Sequence, residues 1–347
     1  MERVLAVRYM SSSISIIMLL ASTLVVQAQD LPTNRPASAR SMVLDEKTIF
    51  EVTASLGQYE EQSEPSGTLR SRGSASTTIL VNRWAEEFMK LYPAIRTQIT
   101  GGGIADGLVE LLEGKVDIVP MSRPLSDAEC ATFKGRFGYL PVEVPVAHDA
   151  VAVYVNLGNP LPDISMSSLQ AIFSRHVTTA SRVPETWMDL GVRGQPGKKL
   201  IARYALSQNH GTHALFREQV LEGEDHHFDV TFERVPGGLL NSIAADQASI
   251  GFASVMFAND AVRFLPIRID EKTVSYPTYE QVLNRRYPLA RQLTLVVNKA
   301  PGKPLPALIR EFLRFALSRR GQRIISIGGN YPITPQMQTS ALELIKD

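Results

Sequence analysis

A single cysteine, Cys130, stands among 347 residues. One thiol cannot close an internal disulfide, so a chain sent to an oxidising compartment would have to be stable through its hydrophobic core alone. An excess of charge is lacking too. Lys and Arg number 36 against 35 Asp and Glu, and removal of the first 28 residues, with Arg3, Arg8 and Glu2, leaves 34 of each. Without a basic surplus there is nothing to neutralise a track of phosphates, so no nucleic-acid partner is expected. The apolar run from Ile14 through Val26 has thirteen residues, short of the roughly 20 that span a bilayer. The sequence also lacks a Gly-x-Ser-x-Gly nucleophile elbow, a His-Glu-x-x-His pair and a complete Gly-Lys-Ser/Thr phosphate loop. Cys130 follows Ser126-x-x-Glu129, a helix-start capping box, and reads as a small buried side chain rather than a nucleophile. No catalytic residue and no cofactor is expected.

What is present begins with the anatomy of a cleavable export signal: Arg3 and Arg8, the apolar run, and the small-residue site Val26-Gln27-Ala28, with cutting after Ala28. No Cys follows that site, which argues against a lipid-anchored product. Residues 29–67 are rich in Pro, Ser, Glu and Gln, with one periodic piece at Ile49 to Leu56, and read as a mobile leader holding at most a short helix. The remainder is long enough for two lobes, each with its own core.

After Gly67 the pattern becomes regular. Thr68 to Arg72 reads as a strand, and Leu80, Trp84, Phe88 and Leu91 as the apolar face of a helix ending before Pro93. Ile95, Thr97 and Ile99 alternate like a strand. Leu108, Leu111 and Leu112 mark a second helix closed by Gly114, and Val116 to Met121 a third, buried strand. Strand and helix in alternation indicate a parallel sheet covered on both faces. Val142 to Val155 is β-like and long enough to pass from one lobe to the next, and Leu293 to Asn298 can cross back. Between them lie a helix opened by the pattern Ser167-x-x-Gln170, strands at Leu200 to Leu206 and Ser249 to Val255, and helices around Leu215 and Ile243. Ile309, Phe312, Leu313 and Ala316 fall on the inward face of a late helix.

Three turns share one build, a strand followed by small residues and a helix start: Gly73 to Thr77, Gly101 to Gly107, and Ser207 to Thr212. Glycine lets backbone approach a ligand, and the first N–H groups of a helix have no internal partner and sit at the positive end of its dipole. Such turns are ready anion sites.

In this order the landmarks resemble the periplasmic phosphate-binding proteins of ABC transporters, which have the type 2 periplasmic-binding-protein fold. The resemblance is carried by Gly73-Ser74 followed by Trp84, Thr100-Gly101-Gly102-Gly103, and Gly114-x-Val116-Asp117-Ile118 leading to Met121-Ser122-Arg123-Pro124-Leu125. It continues through His148-Asp149-Ala150-Val151-Ala152-Val153, Gly211-Thr212, Ile250-Gly251-Phe252, Tyr287-Pro288-Leu289-Ala290-Arg291 and the run Asn298 to Leu305. It spans about residues 68 to 335. What it implies is a two-lobed α/β fold, lobe 1 from residues 68–149 and 290–347 and lobe 2 from 150–289, joined by a hinge of crossing β segments. It also implies an extracytoplasmic, non-enzymatic protein that holds inorganic phosphate or a similar oxyanion between its lobes, with an ABC permease in the inner membrane as partner.

Members of that family hold phosphate with a Ser or Thr at the first turn, a Ser after the Gly-rich second turn, an Asp or Ser after the third strand, and an Arg-x-x-x-Ser-Gly-Thr element. The matching positions here are Ser74, Ala75 and Ser76, then Ser122 with Arg123, then His210, Gly211 and Thr212. Ile104 stands where the family has the second Ser, and Leu206 where it has Arg. A bidentate arginine is among the strongest phosphate ligands, with hydrogen bonds of roughly 1.5 to 3 kcal/mol each. Arg123 or Arg203 could replace it; otherwise Arg123 pairs with a surface acid and Arg203 points to solvent. His210 could donate to an anion, more strongly once protonated, or be a plain turn residue.

Two other readings are open. His210-Gly-Thr-His213 and Asp225-His226-His227-x-Asp229 have metal-ligand residue types, but adjacent histidines point apart and the second group falls in a polar loop. Ile104 and Leu206 also suit a two-lobed interaction or sensor-partner protein that has lost its ligand.

Overall fold

The computed structural model describes residues 38–42, 46–176, 183–208 and 210–346. The expected export signal and its cleavage site lie outside the described residues. Among the described residues, no helix is long and apolar enough to cross a membrane.

The first helix, α1 (Glu46–Ala54), places Ile49 and Thr53 inward, and Leu56 follows them into the core. The leader expected over 29–67 is therefore docked from α1 onward rather than mobile. Its apolar period, short as it is, finds a partner surface in the C-terminal helices. Gly57 N–H donates to Gln338 Oε1 at 2.8 Å, and Arg319 Nε donates to the Leu56 carbonyl at 2.9 Å. Farther along, Tyr59 donates to the fully buried Glu311 carboxylate at 2.9 Å.

Strand β1 (Gly67–Arg72), helix α2 (Ala75–Leu91) and strand β2 (Ile95–Thr100) follow, with β1 and β2 parallel from Gly67↔Ile95 to Arg72↔Thr100. Leu80, Trp84 and Phe88 of α2 are buried as their spacing requires. Helix α3 (Ile104–Leu112) leads to β3 (Val119–Met121), shorter than expected, although Ile118 still bridges Ser71 of β1 in parallel. Helix α4 (Asp127–Phe137) has the full capping box of Ser126 and Glu129 and stops at Gly138 in the left-handed conformation. Cys130, on its first turn, is half-buried rather than buried.

Strand β4 (Val142–Asn156) runs on through fifteen residues. Beyond it come β5 (Ile164–Ser165) and α5 (Met166–Phe173). The cap of α5 is Ser165, which accepts from Ser168 N–H at 3.0 Å, two residues before the serine the sequence pattern favoured. Then follow α6 (Gly194–Gly197), β6 (Ala202–Leu206), α7 (Gly211–Gln219), β7 (Thr231–Glu233), α8 (Pro236–Ala245), β8 (Ser249–Ser254), β9 (Val262–Phe264), β10 (Ile267–Arg268), β11 (Val274–Ser275) and α9 (Tyr279–Leu283). The chain returns along β12 (Ala290–Val297) and closes with α10 (Ala307–Leu317), α11 (Arg319–Ile327) and α12 (Pro335–Leu344).

One sheet, ordered β3-β12-β4-β8-β6-β7 with β9 also on β4, runs through both halves. The first half of β4 pairs antiparallel with β12, and Val151 to Val155 pair with β8. Two cores flank the crossover. Ala147 and Leu293 belong to a core built on Trp84, Phe88, Phe312 and Phe315, whereas Ala150 and Leu289 belong to one built on Phe173, Phe216 and Phe252. At the crossover Asp149 and Arg291 are cross-strand neighbours. The buried Asp149 carboxylate accepts from Arg291 Nε at 2.9 Å and from Ser254 Oγ at 2.6 Å. A buried charge pair is tolerated only when its oxygens are satisfied in this way.

Candidate functional site

The end of β1 and the start of β3 approach so closely that a Cβ on Gly73 would collide with Pro120, and Ser74 N–H donates to the Pro120 carbonyl at 2.8 Å. This contact brings the first turn onto the end of β3 and the residues that follow it. Ser74 Oγ donates to Ser122 Oγ at 3.0 Å and lies 3.1 Å from Ser76 Oγ, while Thr77 Oγ1 holds the Met121 carbonyl at 3.1 Å. The Ser74 hydroxyl therefore makes no cap to its own helix. Gly103 N–H donates to the Gly73 carbonyl at 3.1 Å, which draws the second turn alongside; Gly102 and Gly103 both have positive φ, at 129° and 117°.

The fourth element comes from the other core. Phe216 of α7 stacks on Phe252 with ring centroids 3.6 Å apart and meets Phe173 edge-on, fixing the helix axis. Its first residue is then pressed onto the opposite turns: a Cβ on Gly211 would collide with Ser122 Oγ and lie 3.1 Å from Ser74 Oγ. A cavity of about 310 Å³ opens beside this contact, lined among others by Ser74, Gly103, Ile104, Ser122, Gln208 and His210.

The three helices that start here share one feature. None of α2, α3 and α7 has a side-chain cap, whereas Ser126, Ser165, Ser318 and Thr334 cap α4, α5, α11 and α12. Helices α6, α8, α9 and α10 also lack one, but of these uncapped helices only α2, α3 and α7 bring their open starts to this cavity. Uncapped first-turn N–H groups are donors in want of an acceptor, and the helix dipole favours a negative one.

Most of the residues expected from sequence do converge. Ser74 and Ser122 are buried and in contact, Ser76 is within reach of Ser74, and Gly211 closes on both. Ala75 is half-buried at the first turn of α2, and Thr212 is buried on α7. His210 lines the cavity, and its Nε2 lies 3.1 Å from the Arg234 carbonyl. Gln208 also reaches the cavity, and sequence reasoning missed it; the only signal was its place in the turn from Ser207 to Thr212.

The arginines behave differently. Arg123 lines the cavity, but its guanidinium is held bidentately by Glu129, at 2.8 and 2.7 Å, and by the Pro124 carbonyl. Those hydrogen bonds pull the Glu129 carboxyl down to about 2. Arg203 neither faces solvent nor enters the cavity. It is buried and donates to the carbonyls of Ile172, Ile201 and Pro184, because its strand position turns it under α5. Leu206 is a core side chain, 1% exposed, whereas Ile104 lies on the cavity wall.

His226 and His227 are not in an open polar loop. Both are buried, with the His226 ring stacked on that of His213 at 4.5 Å. Burial lowers the imidazole pKa of His213 and takes that of His226 to about 4. Among the described residues no group of three or more His, Cys, Asp or Glu side chains is placed to hold a metal ion.

Residues 59–320 match the family model described as the PBP superfamily domain. The chain is 33% identical over 297 residues to the phosphate-binding protein PstS of Pseudomonas aeruginosa, covering 85% of this chain and 92% of that protein. It is 27% identical to the protein SphX of Synechococcus elongatus, covering 90% and 91% of the two chains. Among solved structures, a possible phosphate-binding protein from Planctomyces limnophilus superposes with a TM-score of 0.63 at 21% identity, over 81% of this chain and 98% of that one. An ABC-type phosphate transport receptor from Vibrio cholerae gives 0.63 at 20% identity, over 76% and 100%.

Proposed function

Because this chain belongs to the phosphate-binding branch of the PBP superfamily, we propose that it is the extracytoplasmic solute-binding protein of an ABC-type phosphate uptake system. The observation that carries the reading is the meeting of three uncapped helix starts and the Ser74 and Ser122 hydroxyls at one cavity between the two cores. Phosphate there would be bound mainly by neutral donors: the first N–H groups of α2, α3 and α7, the two serine hydroxyls, and Gln208 or His210 at the rim. Water exclusion by the closing lobes strengthens each of these bonds. Arg123 adds little net charge to the site, since the ionised Glu129 already occupies its fork.

The chain's work in this reading is capture and delivery to a permease, with no bond made or broken. Cleavage near Ala28 and release outside the cytoplasm belong to the same proposal. So do lobe boundaries at residues 68–149 with 290–347, and 150–289, which the division of the cores at Ala147/Ala150 and Leu289/Leu293 supports.

The test is thermal unfolding of the processed protein, stripped of carried-over ligand by unfolding and refolding, with phosphate, sulfate and molybdate. At a hundredfold excess over Kd a ligand stabilises by about 2.7 kcal/mol. Phosphate is expected to raise the melting temperature most. If none of the oxyanions shifts it, transport gives way to a ligand-free interaction role, the reading that Ile104 on the cavity wall favours.

A further inference from the structure

Beyond Ser122 the space between the cores continues. A second chamber of about 380 Å³ lies on the hinge side of α7, and it shares Ser122, Arg123 and Leu215 with the first. Its remaining wall includes His148, Gln219, Arg285, Arg291 and Gln292. No carboxylate is among its described lining residues, although acids and bases are almost equal in number over the chain.

Three further observations bear on what it could hold. Arg285 is exposed, and among the described residues it makes no hydrogen bond or ion pair through its side chain. Its backbone is held at a φ of 53°, an uncommon setting for a side chain of that size. Arg291 is more than nine-tenths buried and its Nη1 has no hydrogen-bond partner, its Nε and Nη2 being held by Asp149. The buried His148 ring, neutral above about pH 4, borders the same chamber. Unmade hydrogen bonds of buried groups are costly and are relieved by any ligand that supplies the missing partner. Asp149 and Glu129 compensate Arg291 and Arg123 from outside this wall, so its free charge is that of Arg285. An acceptor-only group is the chemistry that suits Arg285 and the open Arg291 Nη1 donor.

We propose that the hinge chamber is a second oxyanion subsite, and that it takes the distal phosphoryl group of a diphosphate whose first phosphoryl group sits at Ser74 and Ser122. This rests on the phosphate-binding reading above. A single linked ligand is favoured over two free phosphates because the chambers share a wall, and two separate dianions so close would repel each other. In a diphosphate that repulsion is already overcome by the covalent bridge.

The experiment is isothermal titration calorimetry of the processed protein with inorganic phosphate and with pyrophosphate, on the wild type, Arg285→Asn and Gln219→Glu. Asn tolerates the positive φ of residue 285, and Gln219→Glu adds the carboxylate the wall lacks. Both positions are exposed. Pyrophosphate binding is expected to weaken by about tenfold or more in each variant, through the loss of one charge-assisted contact in Arg285→Asn and through like-charge repulsion in Gln219→Glu, while phosphate affinity changes less than about threefold. In the wild type the His148 ring nitrogen resonances are expected to move with pyrophosphate and stay in place with phosphate. Phosphate bound and pyrophosphate rejected, or pyrophosphate affinity indifferent to both variants, overturns the second subsite alone. Neither anion bound overturns it together with the reading on which it rests.

Discussion

Gly211 occupies the one position where α7 meets the opposite turns, and there the space between hydroxyls decides what can close. The Cβ of Gly211→Ala would collide with Ser122 Oγ. Overpacking at such a contact costs about 1–3 kcal/mol, so phosphate Kd is expected to rise about tenfold or more. Gly135→Ala on α4, where a Cβ meets nothing within 4 Å, serves as the control and should leave Kd unchanged. An unchanged Kd in Gly211→Ala would mean that the ligand-bound lobes do not approach through this face. At this scale the sequence was partly legible. Serine and glycine at strand-to-helix turns announced Ser74, Ser122 and Gly211, because few other residues permit such an approach. For the arginines, the reading of Arg123 as paired with an acid holds, through Glu129 six residues away, whereas Arg203 was not legible, since its three carbonyl partners are set by tertiary neighbours.

Among the elements, helices with a long apolar stripe could be read directly; α10 buries all the residues its spacing selected, and α2 buries Leu80, Trp84 and Phe88 but leaves Leu91, at its C-terminal end, exposed. The weak cases were those whose partner lies far along the chain. The nine residues of α1 carry too little period to stand alone, and an isolated helix of that length is marginal in water. It is held by α11 and α12, which enter the sequence more than two hundred residues later. Leu56, 1% exposed, anchors that junction, so Leu56→Ala is expected to cost about 3 kcal/mol in denaturant unfolding. A loss below about 1 kcal/mol would return residues 46–67 to the status of a detachable leader.

The molecule as a whole should be sensitive to mild acid. Burial takes the imidazole pKa of His148 and of His226 from an ordinary 6.5 to about 4. Between those values the unfolded chain binds more protons than the folded one, so stability falls as pH falls through the window. Each buried imidazole contributes on the order of 3 kcal/mol when fully developed. Glu129 adds a second loss lower down: its contribution is present above about 4.5 and disappears as pH falls toward about 2. Denaturation midpoints between pH 7 and 4 check this, and the double variant His148→Gln, His226→Gln should flatten the profile. If the wild-type profile is already flat, these rings are open to water in solution.

The path of β4 out of the first core and of β12 back into it also sets an order of assembly. Apart from Ala39 and Tyr331, the core built on Phe173, Phe216 and Phe252 comes from those strands and the chain between them, and most of it can condense as soon as that segment is made. The other core cannot, because Phe88 of α2 packs on Phe312 and Phe315 of α10, at 5.5 and 5.4 Å. A chain threaded N-terminus first through a narrow channel would thus emerge with its earliest helices apolar and unpaired until its last quarter arrives. The insert, made later, is free to fold sooner. Holding residues 67–142 unaggregated through that interval is the demand this topology places on whatever chaperone receives the chain.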